Sequence, residues 1–236
     1  MKRFYTLAST KKTADGWVIQ LDGKTVKTPS AQELIAPSRT LADAIVAEWG
    51  AQKDVIVPDF MPLTQILNTA IDKMRDRETI TKTLLKYLDT DLICYRVKEP
   101  EALAKRQKEA WDPWMTWFDE HFERPLMTTF GIDALKQDEG THKQIWNYIE
   151  ALDEYYFAAL HVTTALSGSI VLSLALLETD ATPDQVFKAM YVEEDFKAGI
   201  YHEDVHGRAP GEEKKRAAAQ AELNAVRRFL DLVDEG

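Results

Sequence analysis

YYFAALHVTTALSGSIVLSLALL, residues 155–177, contains no Lys, Arg, Asp or Glu. Three structures can hold such a stretch: a membrane span, the centre of a soluble helical bundle, or a surface that another protein covers. Its length suffices for a bilayer, which needs about 20 apolar residues. Its chemistry does not. His161, Thr163, Thr164, Ser167, Ser169 and Ser173 would all enter lipid, and the flanking residues are Asp153, Glu154, Glu178 and Asp180, with no adjacent Lys or Arg to set an orientation. A buried helix at the centre of a helical domain is the better reading. Each large side chain it withdraws from water contributes about 1.5–3 kcal/mol.

The rest of the chain supports a helical domain preceded by a small sheet. RFYTLAS and GWVIQLD read as strands, Asp22-Gly23 as a tight hairpin turn, KTVKTP as the returning strand and Glu33 to Ala36 as a further short one. Ser38 is placed to cap a helix in which Leu41, Ala44, Ile45 and Trp49 follow helical spacing. Helical periodicity resumes in LTQILNTAIDKM and ITKTLLKYLDTDL. In EPEALAKRQKEAWDPWMTWFDEHF it is expected to break at Pro113, with Asp112 capping a second segment. RPLMTTFGID reads as an irregular connector. Beyond it come helices through HKQIWNYIEAL, the uncharged stretch, a helix begun by Thr182-Pro183, and a last one through EEKKRAAAQAELNAVRRFLDLV. The expected class is α+β: a small antiparallel β domain over residues 1–36 and a larger all-helical domain over 37–236, the boundary falling between residue 36 and about residue 60.

Composition narrows the function. The formal net charge of −10 argues against nucleic-acid binding, which needs clustered cations against phosphate. A single cysteine, Cys94, excludes an intrachain disulfide and a cysteine-rich zinc site. The sharpest catalytic pattern is HEDVH at 202–206, which matches H-E-x-x-H; a zinc-dependent hydrolase using His202, Glu203 and His206 is the alternative reading. Against it, Gly207, Pro210 and Gly211 come directly after, and no residue is singled out as third ligand. Asp89 and Asp91 lie two apart and diverge on a helix. No phosphate loop and no nucleophile elbow are present.

Two features point to binding instead. Trp111, Trp114, Trp117 and Phe118 form a dense aromatic group, readable as core packing or as interface anchors. In the helix from Pro183, continued at 100° per residue, Phe187, Met190, Tyr191, Glu194, Ala198 and Tyr201 share one side. Glu193 is expected to pair with Lys197 on the surface. Glu194 is expected among apolar and aromatic neighbours, where a carboxylate needs a partner within the fold or on another protein.

LDGKTVKTP, EWGAQKDVIVPDFMPLTQILNTAID, TDLICYR, QKEAWDPWMTW and ALSGSIVLSLALLE together resemble, in order, the assembly chaperones that act on the alpha subunit of F-type ATP synthase. The resemblance implies a non-enzymatic protein that binds the unassembled alpha subunit of the catalytic head, keeps it from aggregating until it pairs with beta, and uses no cofactor and no metal. It implies a bacterial cytoplasmic location, where eukaryotic relatives work in the mitochondrial matrix. A monomer suits a protein that caps one subunit. The family's important acidic position maps to Glu194, and partner contacts are expected at Glu194, Phe187, Tyr191, Trp111 and Trp114. The sequence departs from the family around Tyr201-His202.

Overall fold

A computed structural model of the chain describes residues 1–200 and 210–235. Tyr201 and the HEDVH pattern, with His202, Glu203 and His206, lie outside the described residues. The chain divides into two compact units. Residues 1–77, 152–159 and 225–236 form a sheet-bearing unit; residues 78–151 and 160–224 form a helical unit.

In the sheet-bearing unit, β1 (Ala8–Lys12), β2 (Trp17–Leu21), β3 (Lys24–Thr25) and β4 (Ile35–Ala36) make an antiparallel sheet, with β1 on one edge of β2 and β3 and β4 on the other. The strand expected over RFYTLAS begins only at Ala8. Upstream, Asp22 takes the N–H groups of Thr6 and Leu7, at 3.1 and 2.8 Å, and holds that segment outside the ladder. Asp22 and Gly23 both have positive φ, 47° and 78°, the backbone that a two-residue hairpin turn demands.

Helix α1 (Arg39–Ala51) packs on this sheet and starts where Ser38 accepts from the Leu41 N–H at 3.0 Å. It also organises the next helix. Glu48 reaches the start of α2 (Pro62–Lys73), accepting from the N–H groups of Leu63 at 2.8 Å and Thr64 at 2.9 Å and from the Thr64 hydroxyl at 2.7 Å. Burial pushes the Glu48 carboxyl upward, and these three donors oppose that shift. Glu48→Gln puts an amine where an acceptor oxygen stood and strands one backbone donor. It is expected to cost about 2 kcal/mol, read as a lower midpoint in urea unfolding monitored by circular dichroism.

The helical unit contains α3 (Arg77–Asp89) from Glu78 onward, α4 (Glu101–Phe122), α5 (Glu139–Ala151), the later part of α6 (Glu154–Ser167), α7 (Ile170–Glu178), α8 (Pro183–Met190), α9 (Val192–Ile200) and the first part of α10 (Pro210–Asp234). Helix α4 packs against α7, α8 and α9. Every residue of α7 from Ile170 to Leu177 is buried. No described helix is long and apolar enough to cross a membrane.

Three expected helices differ in detail. The uncharged stretch is two helices, because Gly168 takes φ +68° and ends α6. Helix α4 runs unbroken through Pro113. Both Pro113 and Glu109, whose carbonyl loses its amide partner, are exposed, so water can serve that carbonyl. The helix from Pro183 opens at the expected Thr182 cap, which forms a capping box with Gln185, but stops at Met190; Tyr191, at φ −108° and ψ 16°, separates it from α9.

Candidate functional site

The break at Tyr191 decides which carboxylate faces where. With the helical phase interrupted, Glu193 turns toward α4 and Glu194 points to solvent. Glu194 therefore does not sit among apolar groups, and no burial cost falls on it. Glu193 accepts from Gln107 Nε2 at 2.7 Å and stands 4.0 Å from Lys197 Nζ, so the expected surface pair is present but shared with a buried amide.

Gln107 joins two parts of the unit. Its Oε1 accepts from the Val97 N–H at 2.9 Å, while its Nε2 serves Glu193. Beside it Arg96 donates to Asp112 at 2.9 Å and to the Ile93 carbonyl at 2.7 Å, and its guanidinium lies 5.1 Å from the centre of the Trp111 ring.

Trp111 is fully enclosed, and its indole donates to the Ala189 carbonyl at 2.8 Å. That carbonyl is one of the last four of α8, which lack intrahelical donors. The indole thus ties α4 to the end of α8. Trp111 offers no surface to a partner; among the aromatic residues of α4, Trp114 and Trp117 are half-buried and Trp111 and Phe118 belong to the core.

Phe187 and Tyr191, both half-buried, pack with ring centres 4.7 Å apart. Arg216 of α10 covers them, its guanidinium 4.0 Å from the Tyr191 ring centre and 5.0 Å from that of Phe187, and it bonds Asp195 at 2.9 Å. Burial pushes the Tyr191 hydroxyl upward, with Arg216 drawing it back. The structure therefore brings Glu194, Phe187 and Tyr191 to one corner, with Trp111 beneath it as a brace. Arg96, Gln107 and Arg216 complete the corner and were not singled out by sequence; Asp112, expected as a helix cap, instead pairs with Arg96 within the unbroken α4. Gln107 and Arg216 lie in charged stretches, AKRQKEA and EEKKRAAAQ, where nothing marks them out from their polar neighbours, and Arg96 ends TDLICYR.

Nothing in this corner resembles a reaction centre. Among the described residues no group of three or more His, Cys, Asp or Glu is placed to hold a metal. Cys94 is buried, and that burial pushes its thiol far up, so it stays protonated at neutral pH.

A corner of exposed carboxylate and covered aromatics suits a binding protein, and comparison with known proteins says which kind. The family model described as ATP12 chaperone protein matches residues 2–119. The chain belongs to the ATP12 chaperone family. The mitochondrial protein atp12 of Schizosaccharomyces pombe is 30% identical over 194 residues, 75% of this chain and 65% of the relative, so the match spans just under two thirds of that protein. The crystal structure of Atp12 from Paracoccus denitrificans is 32% identical and similar over 98% of both chains, with a TM-score of 0.86. A protein of known structure from Agrobacterium tumefaciens, also 32% identical, gives a TM-score of 0.88 over 98% of this chain and 85% of its own.

Proposed function

We propose that this ATP12-family chain is an assembly chaperone of F-type ATP synthase. It binds the alpha subunit of the catalytic head before that subunit meets beta. It acts by binding and not by catalysis, as a monomer in the bacterial cytoplasm. The observation that carries this reading is the similarity to Paracoccus Atp12, which spans 98% of both chains.

The physical logic is that of an orphan ring subunit. Such a subunit exposes the apolar interface that its neighbour will cover, and exposed apolar surface aggregates. A chaperone must cover that surface and still release it, which favours a mixed interface of apolar anchors and exchangeable polar contacts. The corner of α8 and α9 offers this mixture: an exposed carboxylate at Glu194 beside Phe187 and Tyr191, with Trp111 holding α8 in place and half-buried Trp114 on α4 as a further proposed contact. Glu194 is available to an Arg or Lys on the client because no ion pair occupies it among the described residues.

The test is capture of purified alpha subunit by tagged wild-type and Glu194→Lys chains. Glu194 is exposed, so its replacement should leave the circular dichroism spectrum and unfolding midpoint within about 0.5 kcal/mol of wild type. Wild type should retain the subunit and Glu194→Lys should lose most of it. Failure of folded wild type to retain free alpha subunit removes the proposal, and metal analysis of the purified chain then tests the HEDVH pattern.

A further inference from the structure

The connector between α4 and α5 is irregular but firmly held. A single buried side chain clamps Met127: its N–H donates to Gln137 Oε1 at 2.9 Å and its carbonyl accepts from Gln137 Nε2 at 3.0 Å. Two residues on, Thr129 pairs in parallel with the segment 94–96. Its N–H donates to the Cys94 carbonyl at 2.9 Å, and its carbonyl accepts from the Arg96 N–H at 2.8 Å. Farther along, the Leu135 N–H donates to the Tyr95 hydroxyl at 3.0 Å.

Successive peptide groups of an extended segment point to opposite sides. Thr128 therefore directs its backbone groups away from residues 94–96, and neither its groups nor those of Phe130 have a hydrogen-bond partner among the described residues. Thr129 is an isolated bridge and residues 130–133 bend away from it, so these free backbone groups lie on a short irregular stretch to which a partner segment can still add hydrogen bonds. Its surroundings are apolar. Met127, Phe130 and Ile132 are 48%, 60% and 98% exposed. Beside the edge lies a cleft of about 320 Å³ lined in part by Val97, Gln107, Lys108, Met115, Thr128 and Phe130.

The charge at this place runs against that of the whole chain. Lys98 sits 5.0 Å from the Phe130 ring centre, and Lys108 lines the cleft; neither has a carboxylate partner among the described residues. The other two charges of the cleft, Arg96 and Asp112, neutralise each other. A net positive rim on a chain of charge −10 selects a negative ligand group.

We infer that residues 127–132 and the adjoining cleft form a docking edge for an extended client segment carrying large apolar side chains and at least one carboxylate. The edge supplies backbone hydrogen bonds, the cleft takes an apolar side chain, and Lys98 and Lys108 take the carboxylate. This inference rests on the chaperone reading above. The cleft and the Glu194 corner share a buried link, because Gln107 both lines the cleft and donates to Glu193.

The test uses purified alpha subunit as the probe. One variant carries the photoreactive p-benzoylphenylalanine in place of Phe130, and a control carries it in place of the exposed Lys82 on α3. The Phe130 position should cross-link to one segment of the subunit that contains apolar and acidic residues, and the Lys82 position should not. The double variant Phe130→Asp with Ile132→Asp should bind at least about tenfold more weakly at an unchanged unfolding midpoint. The pair Lys98→Glu and Lys108→Glu should weaken binding and flatten its salt dependence. If wild type binds the subunit while Phe130 gives no cross-link and the double Asp variant keeps wild-type affinity, the docking edge is wrong and the chaperone reading stands. If wild type does not bind the subunit at all, both fall.

Discussion

Asp91→Ala should lower the stability of the helical unit by about 4 kcal/mol. Asp91 is fully enclosed and accepts from the Ile93 N–H at 3.2 Å and the Val171 N–H at 3.1 Å, with Ile170 and Ser169 donating to it as well. It therefore closes the start of α7 from a point 80 residues earlier in the chain. Alanine would strand at least two buried donors, at about 1–3 kcal/mol each. The urea midpoint should fall accordingly. The pH dependence has a definite sign. Burial raises the Asp91 carboxyl from 3.8 to about 6, so the folded chain holds the proton more tightly than the unfolded one. The stabilisation this gives is complete below pH 3.8 and is lost as pH rises through about 6, a change of about 3 kcal/mol. Asp91→Asn cannot titrate. Its stability relative to wild type should therefore improve by about that amount between pH 3.5 and pH 7. A constant difference between the two proteins across that window would show that Asp91 keeps its ordinary acidity.

Asp91 also shows which parts of the fold were legible and which were not. The Asp22-Gly23 hairpin, the Ser38 cap and the helix start at Thr182-Pro183 each depend on residues within four positions of one another, and all three stand as the sequence implied. The end of α6 at Gly168 depends on a left-handed glycine whose carbonyl takes the Leu92 N–H at 3.0 Å, and on Asp91 capping the start of α7. The glycine and the Ser169 cap on the Leu172 N–H are local signals, whereas the support from Leu92 and Asp91 shows in no window around residue 168. Pro113 misled in the opposite direction, since the rule that proline ends a helix is local, whereas tolerance of proline depends on which face meets water.

The same division explains the candidate site. Extending one helical phase across Tyr191 put Glu194 among aromatics; the actual break exposes Glu194 and hands the inward role to Glu193. The connector 124–138 gave no periodic signal at all. Its order comes from Gln137, Thr129 and the segment 94–96, none of which can be paired by inspection of spacing. The stretches that carry the family resemblance are legible for a related reason. Glu48 at the start of α2, Asp91 at the start of α7, Gln107 between Val97 and Glu193, and Ser169 capping α7 are all polar residues that brace backbone ends or loops. Their specificity is architectural, so they mark a fold without spelling out a reaction.

Trp111→Ala is the second substitution with a large expected effect, about 4 kcal/mol, because a fully enclosed indole leaves a cavity that the surrounding helices can only partly close. Trp111→Phe separates packing from the hydrogen bond. It retains most of the volume but leaves the Ala189 carbonyl without the indole donor, at an expected cost of about 1–2 kcal/mol. The pair also distinguishes a brace from an anchor. Having no exposed surface, Trp111 can influence client binding only by holding α8, and so by setting where Phe187, Tyr191 and Glu194 stand. The Phe variant, folded and with α8 loosened, should therefore lose client affinity by a few-fold. Glu194→Lys, with the helices undisturbed, should lose most of it. If Trp111→Phe abolished capture as completely as Glu194→Lys while unfolding at the wild-type midpoint, the indole would have to meet the client directly, and the helical unit would have to open to let it.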